Sequence, residues 1–314
     1  MSDRHQYSLA ALAALFSLGI VACGDEAKPT DVKATTVTSV SASTPTMPAT
    51  SATPEVVARA VSASYDDGEA AYRAGHYGDA ETIFTAYTER KPDNVFGHYM
   101  VGLSAWKAGD LDRATEAFDR ALAIDSAHVK SLLNSARVYF ELGKPDLARE
   151  RVERALSVDS SDVDGLRLYA RALYNTGDTA GAIDAYRNVL VHDEQDTWSM
   201  NNLGLIYIEQ GNYEDAIAPL ARAVELRDNA PVFHNNLGIA LEGSRHYAAA
   251  RDEFDRTLQV DSTYGKAAVS LERMRGLAGD SASDVNLGEE AAEFVQYVRA
   301  WKAGGQVDSW TDGQ

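Results

Sequence analysis

Asn134, Asn202 and Asn236 are separated by 34 residues or a multiple of it, and Asn201 and Asn235 sit beside two of them. An amide side chain both donates and accepts hydrogen bonds. Asparagines at a fixed spacing can therefore pair with an extended peptide backbone whatever side chains it carries. A second set is cationic: Lys130, Arg137, Arg167 and Arg171, with Glu141 and Asp164 as the nearby acids. A guanidinium holds a carboxylate bidentately, so these residues suit a segment bearing Asp, Glu or a C-terminal carboxylate. They would equally serve as solvated charges that balance the neighbouring acids. A third set is aromatic: Tyr99, Trp106, Phe140, Tyr174 and Trp198. Such side chains anchor partners or pack between helices, and packing is the expectation for Phe140 and Tyr174.

Reaction chemistry has no comparable pattern. The histidines (His5, His76, His98, His128, His192, His234 and His246) are scattered, with no HExxH and no Cys/His cluster at zinc spacing. No phosphate-cradling glycine loop and no GxSxG nucleophile elbow occur. The acidic pairs Asp66-Asp67 and Glu289-Glu290 read as solvated faces. The expectation is a non-enzymatic chain that uses no cofactor and no metal.

The elements that position these residues follow from a repeat. Alanine recurs at Ala80, Ala114, Ala148, Ala182, Ala216 and Ala250, and glycine at Gly75, Gly109, Gly143, Gly177 and Gly211. Bulky residues follow the alanines by four: Phe84, Phe118, Val152, Tyr186, Leu220 and Phe254. Six gapless units result, at 61–94, 95–128, 129–162, 163–196, 197–230 and 231–264. They leave no room for an inserted catalytic loop. Each unit reads as two helices about a glycine turn; in the second, helix A spans Val95 to Ala108 and helix B Leu111 to Ile124. The small column Gly68, Gly102, Ala136, Ala170, Gly204 and Gly238 is expected to face the alanines of helix B, with the bulky column filling space toward the next unit. In the sixth unit Arg245 replaces the turn glycine, and a turn rebuilt around Gly243 is one expectation.

Over about two thirds of its length the chain resembles tetratricopeptide repeat (TPR) proteins. The fifth unit carries the pattern best, in Leu203-Gly204, Tyr207, Gly211, Tyr213 and Ala216. The proline near the end of each family unit survives only as Pro92; Ser126, Ser160, Glu194, Asp228 and Ser262 stand in the other units and keep a turn. The resemblance implies an all-α fold: a right-handed superhelical solenoid of six helix-turn-helix repeats over 56–276, closed by a capping helix at 265–276. It also implies that the A helices line a concave groove. Carried onto this chain, that stripe holds Tyr99, Trp106, Lys130, Asn134, Arg137, Arg167, Arg171, Trp198, Asn201, Asn202, Asn235 and Asn236. The asparagines there are similar to the ladders of kinesin light chains, interrupted here by Asp66, Met100 and Leu168.

Beyond the repeats, a linker leads from 277 to an amphipathic helix at about 289–302, with Phe294, Tyr297, Val298 and Trp301 on one stripe. A latch against the last repeat is the preferred reading of this helix, over a docking element for a partner. The tail from Gly304 is expected to be loose.

The first 22 residues carry an apolar run from Leu9 to Ala22, about 21 Å as a helix and short of a ~30 Å bilayer core. This suits a signal peptide. The run ends Ile20-Val21-Ala22-Cys23-Gly24, which resembles the bacterial lipobox, and Cys23 is the chain's one cysteine. The resemblance implies acylation at Cys23 and a periplasm-facing anchor, and the Thr/Ser/Ala/Pro-rich composition of 23–55 reads as a tether reaching about 30 Å. With Gly24 rather than Asp after the cysteine, the outer membrane is favoured over the inner. The net charge of −18 argues against nucleic acid. Together these features imply a lipid-anchored adaptor that binds an extended or acidic segment of another envelope protein. Assistance to a secretin or other outer-membrane complex, as by the secretin pilotins, is the expected role; the alternative is a scaffold for envelope hydrolases or proteases.

Overall fold

The computed structural model describes residues 62–275 and 285–304. Cys23, the signal segment, the tether and the tail from 305 lie outside the described residues. Among the described residues are fourteen α-helices and no strand. Repeats 1 to 3 pair α1 (Tyr65–Arg73) with α2 (Tyr77–Arg90), α3 (Val95–Ala108) with α4 (Leu111–Ile124), and α5 (Val129–Glu141) with α6 (Pro145–Val158). Repeats 4 to 6 pair α7 (Val163–Asn175) with α8 (Thr179–His192), α9 (Thr197–Glu209) with α10 (Tyr213–Leu226), and α11 (Pro231–Gly243) with α12 (Tyr247–Val260). Helix α13 (Gly265–Met274) follows as a seventh A helix, and α14 (Leu287–Lys302) ends the described chain. The second repeat has the bounds that its sequence predicts.

Each pair closes through local chemistry. Side chains of Asn94, Asp162 and Asp196 accept from backbone N–H groups in the first turns of α3, α7 and α9, satisfying donors that a helix start leaves free. At the turns, Gly109 takes φ 89°, the left-handed region that ends a helix without a Cβ penalty. In repeat 6, Arg245 adopts that same conformation, with φ 69°. The turn is therefore kept rather than rebuilt. Gly243 closes α11 under Tyr213: a Cβ there would lie 2.2 Å from the Tyr213 ring.

The small column meets different neighbours from those expected. At Gly102, the nearest atoms to an added Cβ belong to Phe118, at 2.6 Å, and Gly68, Gly204 and Gly238 meet Phe84, Leu220 and Phe254 in the same way. The glycines receive the bulky column of their own repeat rather than its alanines. At these four positions the missing side chain makes the room that the bulky group fills. These bulky residues are fully buried, each burial contributing about 1.5–3 kcal/mol.

Helix α14 departs furthest from expectation. It packs on α10 and α8, the B helices of repeats 5 and 4, rather than as a latch on the last repeat. Ala291, Phe294 and Val298 enter the core, while Tyr297 and Trp301 are half-buried.

Candidate functional site: the wall of A helices

Successive A helices pack side by side (α3 with α5, α5 with α7, α9 with α11), so equivalent positions of neighbouring repeats line one wall. Four asparagines lie at its C-terminal end, each no more than 4% exposed. Asn236 Nδ2 donates to Asn201 Oδ1 at 2.8 Å, and Asn235 Nδ2 to Asn236 Oδ1 at 3.3 Å. Asn201 Nδ2, Asn202 Oδ1 and Asn235 Oδ1 find no hydrogen-bond partner among the described residues. A buried polar atom without a partner costs about 1–3 kcal/mol, so this cluster carries unused donor and acceptor capacity.

Asn134 occupies the same repeat position as Asn202 and Asn236 but joins another network. Its Nδ2 donates to the Tyr99 hydroxyl at 3.0 Å, and its Oδ1 accepts from Arg137 at 2.7 Å. Arg137 and Arg167 converge on Asp164, at 2.5 and 3.1 Å, and Arg167 also lies 3.4 Å from Asp196. Arg171 stacks over Phe140 at 4.3 Å, and Lys130 is exposed. The structure thus brings three of the four cations to the middle of the wall. Two of them are held by the chain's own carboxylates, the balancing arrangement that the sequence left open. Glu141 is not part of that network; it accepts from Trp106 Nε1 at 2.9 Å.

The aromatic residues divide along the wall. Trp198 packs edge-on against Phe233 at 5.1 Å, with Arg227 over its face. Tyr174 donates to Glu209, whose carboxyl is pushed up by burial. Tyr99 meets His128 edge-on at 5.3 Å, and burial raises its phenol against the opposing effects of Arg137 and Asn134. Phe96 also meets His128 edge-on at 5.3 Å and is 55% exposed. Sequence reasoning passed over Phe96. The signal was present, since Phe96 stands at the repeat position of Lys130, Asp164 and Trp198.

This wall offers amide, cationic and aromatic groups for non-covalent recognition. Among the described residues, no group of three or more His, Cys, Asp or Glu could hold a metal.

A tetratricopeptide repeat model matches residues 65–128 and 133–197, and a further TPR repeat model matches 204–243. No curated protein matches the chain by sequence. Among solved structures, a chain of the APC/C hetero-tetramer Cut9–Hcn1 superposes with a TM-score of 0.58 at 19% identity, over 67% of this chain and 42% of that one. PilF of Pseudomonas aeruginosa superposes with a TM-score of 0.53 at 20% identity, over 69% of this chain and 95% of that one. MamA of Desulfovibrio magneticus RS-1 gives 0.50 at 16% identity, over 56% and 98%. At such identities the likeness is one of fold. With the repeat models spanning more than half of the sequence and its helices paired in the repeat's own register, the chain belongs to the tetratricopeptide repeat family.

Proposed function

We propose that this chain is a lipid-anchored, periplasm-facing adaptor whose A-helix wall holds an extended segment of another envelope protein. TPR arrays are in general protein-interaction scaffolds, and this reading adds the anchor, the compartment and the ligand's form. The asparagine register along the wall carries it: Asn134, Asn202 and Asn236 stand at one repeat position of the A helices α5, α9 and α11, and a side-chain amide complements a peptide unit, which brings one C=O and one N–H. The aromatic group of Phe96, Tyr99 and Trp106 lies on the same wall and supplies apolar anchorage at the other end. The Cys23 context supports acylation, which with two or three chains anchors stably. Assistance to a secretin or another outer-membrane complex follows from that placement.

The test is capture from solubilised envelopes by the soluble chain from Val56 onward, compared with its Asn201→Ala/Asn236→Ala variant. Recovery of a secretin or β-barrel protein, reduced on the order of tenfold in the variant, supports the reading. Recovery of hydrolases would favour the enzyme-scaffold alternative. Undiminished capture by a folded variant would remove the wall from the mechanism. Fatty-acid labelling of wild type against Cys23→Ala tests the anchor separately, and label retained in the variant would refute it.

A further inference from the structure

Helix B of repeat 5 differs from its sisters on its outer face. One residue past the repeat alanine, repeats 1, 2, 3 and 6 carry Glu81, Thr115, Arg149 and Arg251, whereas repeats 4 and 5 carry Ile183 and Ile217. One residue further on, Thr82, Glu116, Glu150, Asp184 and Asp252 are replaced in repeat 5 by Ala218. Three residues beyond that, Thr85, Asp119, Glu153, Arg187 and Asp255 are replaced by Ala221. Ile217, Ala218 and Ala221 are buried, while Glu116, Glu150, Asp119 and Glu153 are exposed. The difference is α14, which packs on α10 and α8 through Ala291, Phe294 and Val298. Arg187 of α8 lies over the Trp301 ring at 5.3 Å.

The apolar fit is good and the charge fit is poor. The acidic start of α14 faces the acidic start of α10: Glu290, flanked on its own helix by Glu289 and Glu293, lies toward Glu214, and Tyr297, which donates to Glu293, lies toward Asp215. His246, 3.7 Å from Glu214, is the basic group facing this seam from the repeat 6 turn. Burial first, then Glu293 and Glu214, push the Glu290 carboxyl up. Burial and Glu214 do the same to Asp215. Like charges across a docked surface weaken it, and opposite charges there would strengthen it and set partner choice.

We propose that the outer face of repeats 4 and 5 is a docking site for an amphipathic helix of a partner protein, one with the apolar register of α14 and a basic leading turn. Helix α14 holds this site until such a helix displaces it. The site is separate from the A-helix wall, so the two can be occupied independently. Being part of the same chain, α14 competes at an effective concentration on the order of millimolar. Only a helix that corrects the charge mismatch gains enough to replace it.

The test uses the full chain with Phe294→Ala, which loosens its own helix, and two 16-residue peptides spanning Leu287–Lys302. One peptide has the native sequence; the other carries Glu289→Lys, Glu290→Lys and Glu293→Lys. By fluorescence anisotropy the lysine peptide should bind on the order of tenfold more tightly, an advantage that shrinks as salt rises. Ile217→Thr with Ala221→Thr should abolish binding of both peptides. Repeats 2 and 1 already carry threonine at those positions (Thr115 and Thr85), so the solenoid tolerates it. Equal affinity for the two peptides, no binding of either, or binding that survives the threonine pair would overturn the proposal.

Discussion

At Arg245 a side chain occupies a backbone conformation that the other turns reserve for glycine. The left-handed region brings Cβ against the following carbonyl at a cost of about 1–2 kcal/mol. Arg245→Gly should therefore stabilise the protein by about 1 kcal/mol after glycine's greater unfolded-state entropy is subtracted. Chemical denaturation checks this; no gain in midpoint would mean that the arginine makes a compensating contact. His234 presents a different case. Its Nδ1 lies 2.7 Å from Glu253 and its Nε2 lies 2.7 Å from the Asp228 carbonyl, so both nitrogens face acceptors. Burial alone lowers the imidazole, but these two bonds outweigh it and hold the group above its ordinary value of about 6.5. A raised folded value means that the protonated ring is the stabilising form. Its contribution is complete below the unfolded value and disappears as pH rises through the folded one. Stability measured from pH 5.5 to 8.5 should fall more steeply for wild type than for His234→Gln. Parallel profiles would contradict the doubly bonded imidazolium.

The element scale separates what the sequence states from what it leaves implicit. Helix bounds were legible because a Gly turn, a capping Asn or Asp and a 3.6-residue apolar stripe all specify the same break, as in Val95–Ala108 and Leu111–Ile124. The partner of each small residue was not legible. A column of glycines states that something comes close, and only the structure shows that Phe118 is what approaches Gly102. The seat of α14 was written in Ile217, Ala218 and Ala221, but as an exception within the repeat rather than as part of its pattern. The asparagine spacing was equally visible. What it could not reveal is that Asn134 pairs with Tyr99 and Arg137 while Asn236 pairs with Asn201, because those choices depend on neighbouring helices. The seam of α14 also yields a pH dependence. Burial first, and then Glu214 across the seam, raise the Glu290 carboxyl in the docked arrangement, so docking favours its protonated form. Attachment of α14 should strengthen as pH falls through that raised value and be weakest above it. Hydrogen-exchange protection of α14, corrected for intrinsic rates, should increase from pH 7.5 to pH 5, and Glu290→Gln should flatten the change. Protection that decreases toward acid would rule out the repulsive seam.

For the whole molecule, the apolar core is unevenly shared. One continuous cluster runs from Ala170 through repeats 5 and 6 to Met274 and on to Ala291, Phe294 and Val298. The N-terminal half is held by smaller, separate clusters: Ala80, Phe84, Met100, Val101 and Ala117 in one, Ala105, Ala114, Phe118 and Val138 in another. In a stack where each repeat touches mainly its neighbours, stability sums over repeats and their interfaces, and opening starts where that sum is smallest. Helix α14 adds to the imbalance by tying α8 to α10, a cross-link between repeats 4 and 5 with no counterpart among the described residues of repeats 1 and 2. Repeats 1 and 2 should therefore lose protection at lower denaturant than repeats 4 to 6, giving two unfolding steps rather than one. Hydrogen exchange followed peptide by peptide across a urea series would resolve them. Ile217→Asp should undock α14 and draw the later transition toward the earlier one while leaving the first unchanged. A single transition shared by all repeats, or an Ile217→Asp chain in which repeats 1 and 2 shift as much as repeats 4 to 6, would show that the stack is coupled far more uniformly than its core is distributed.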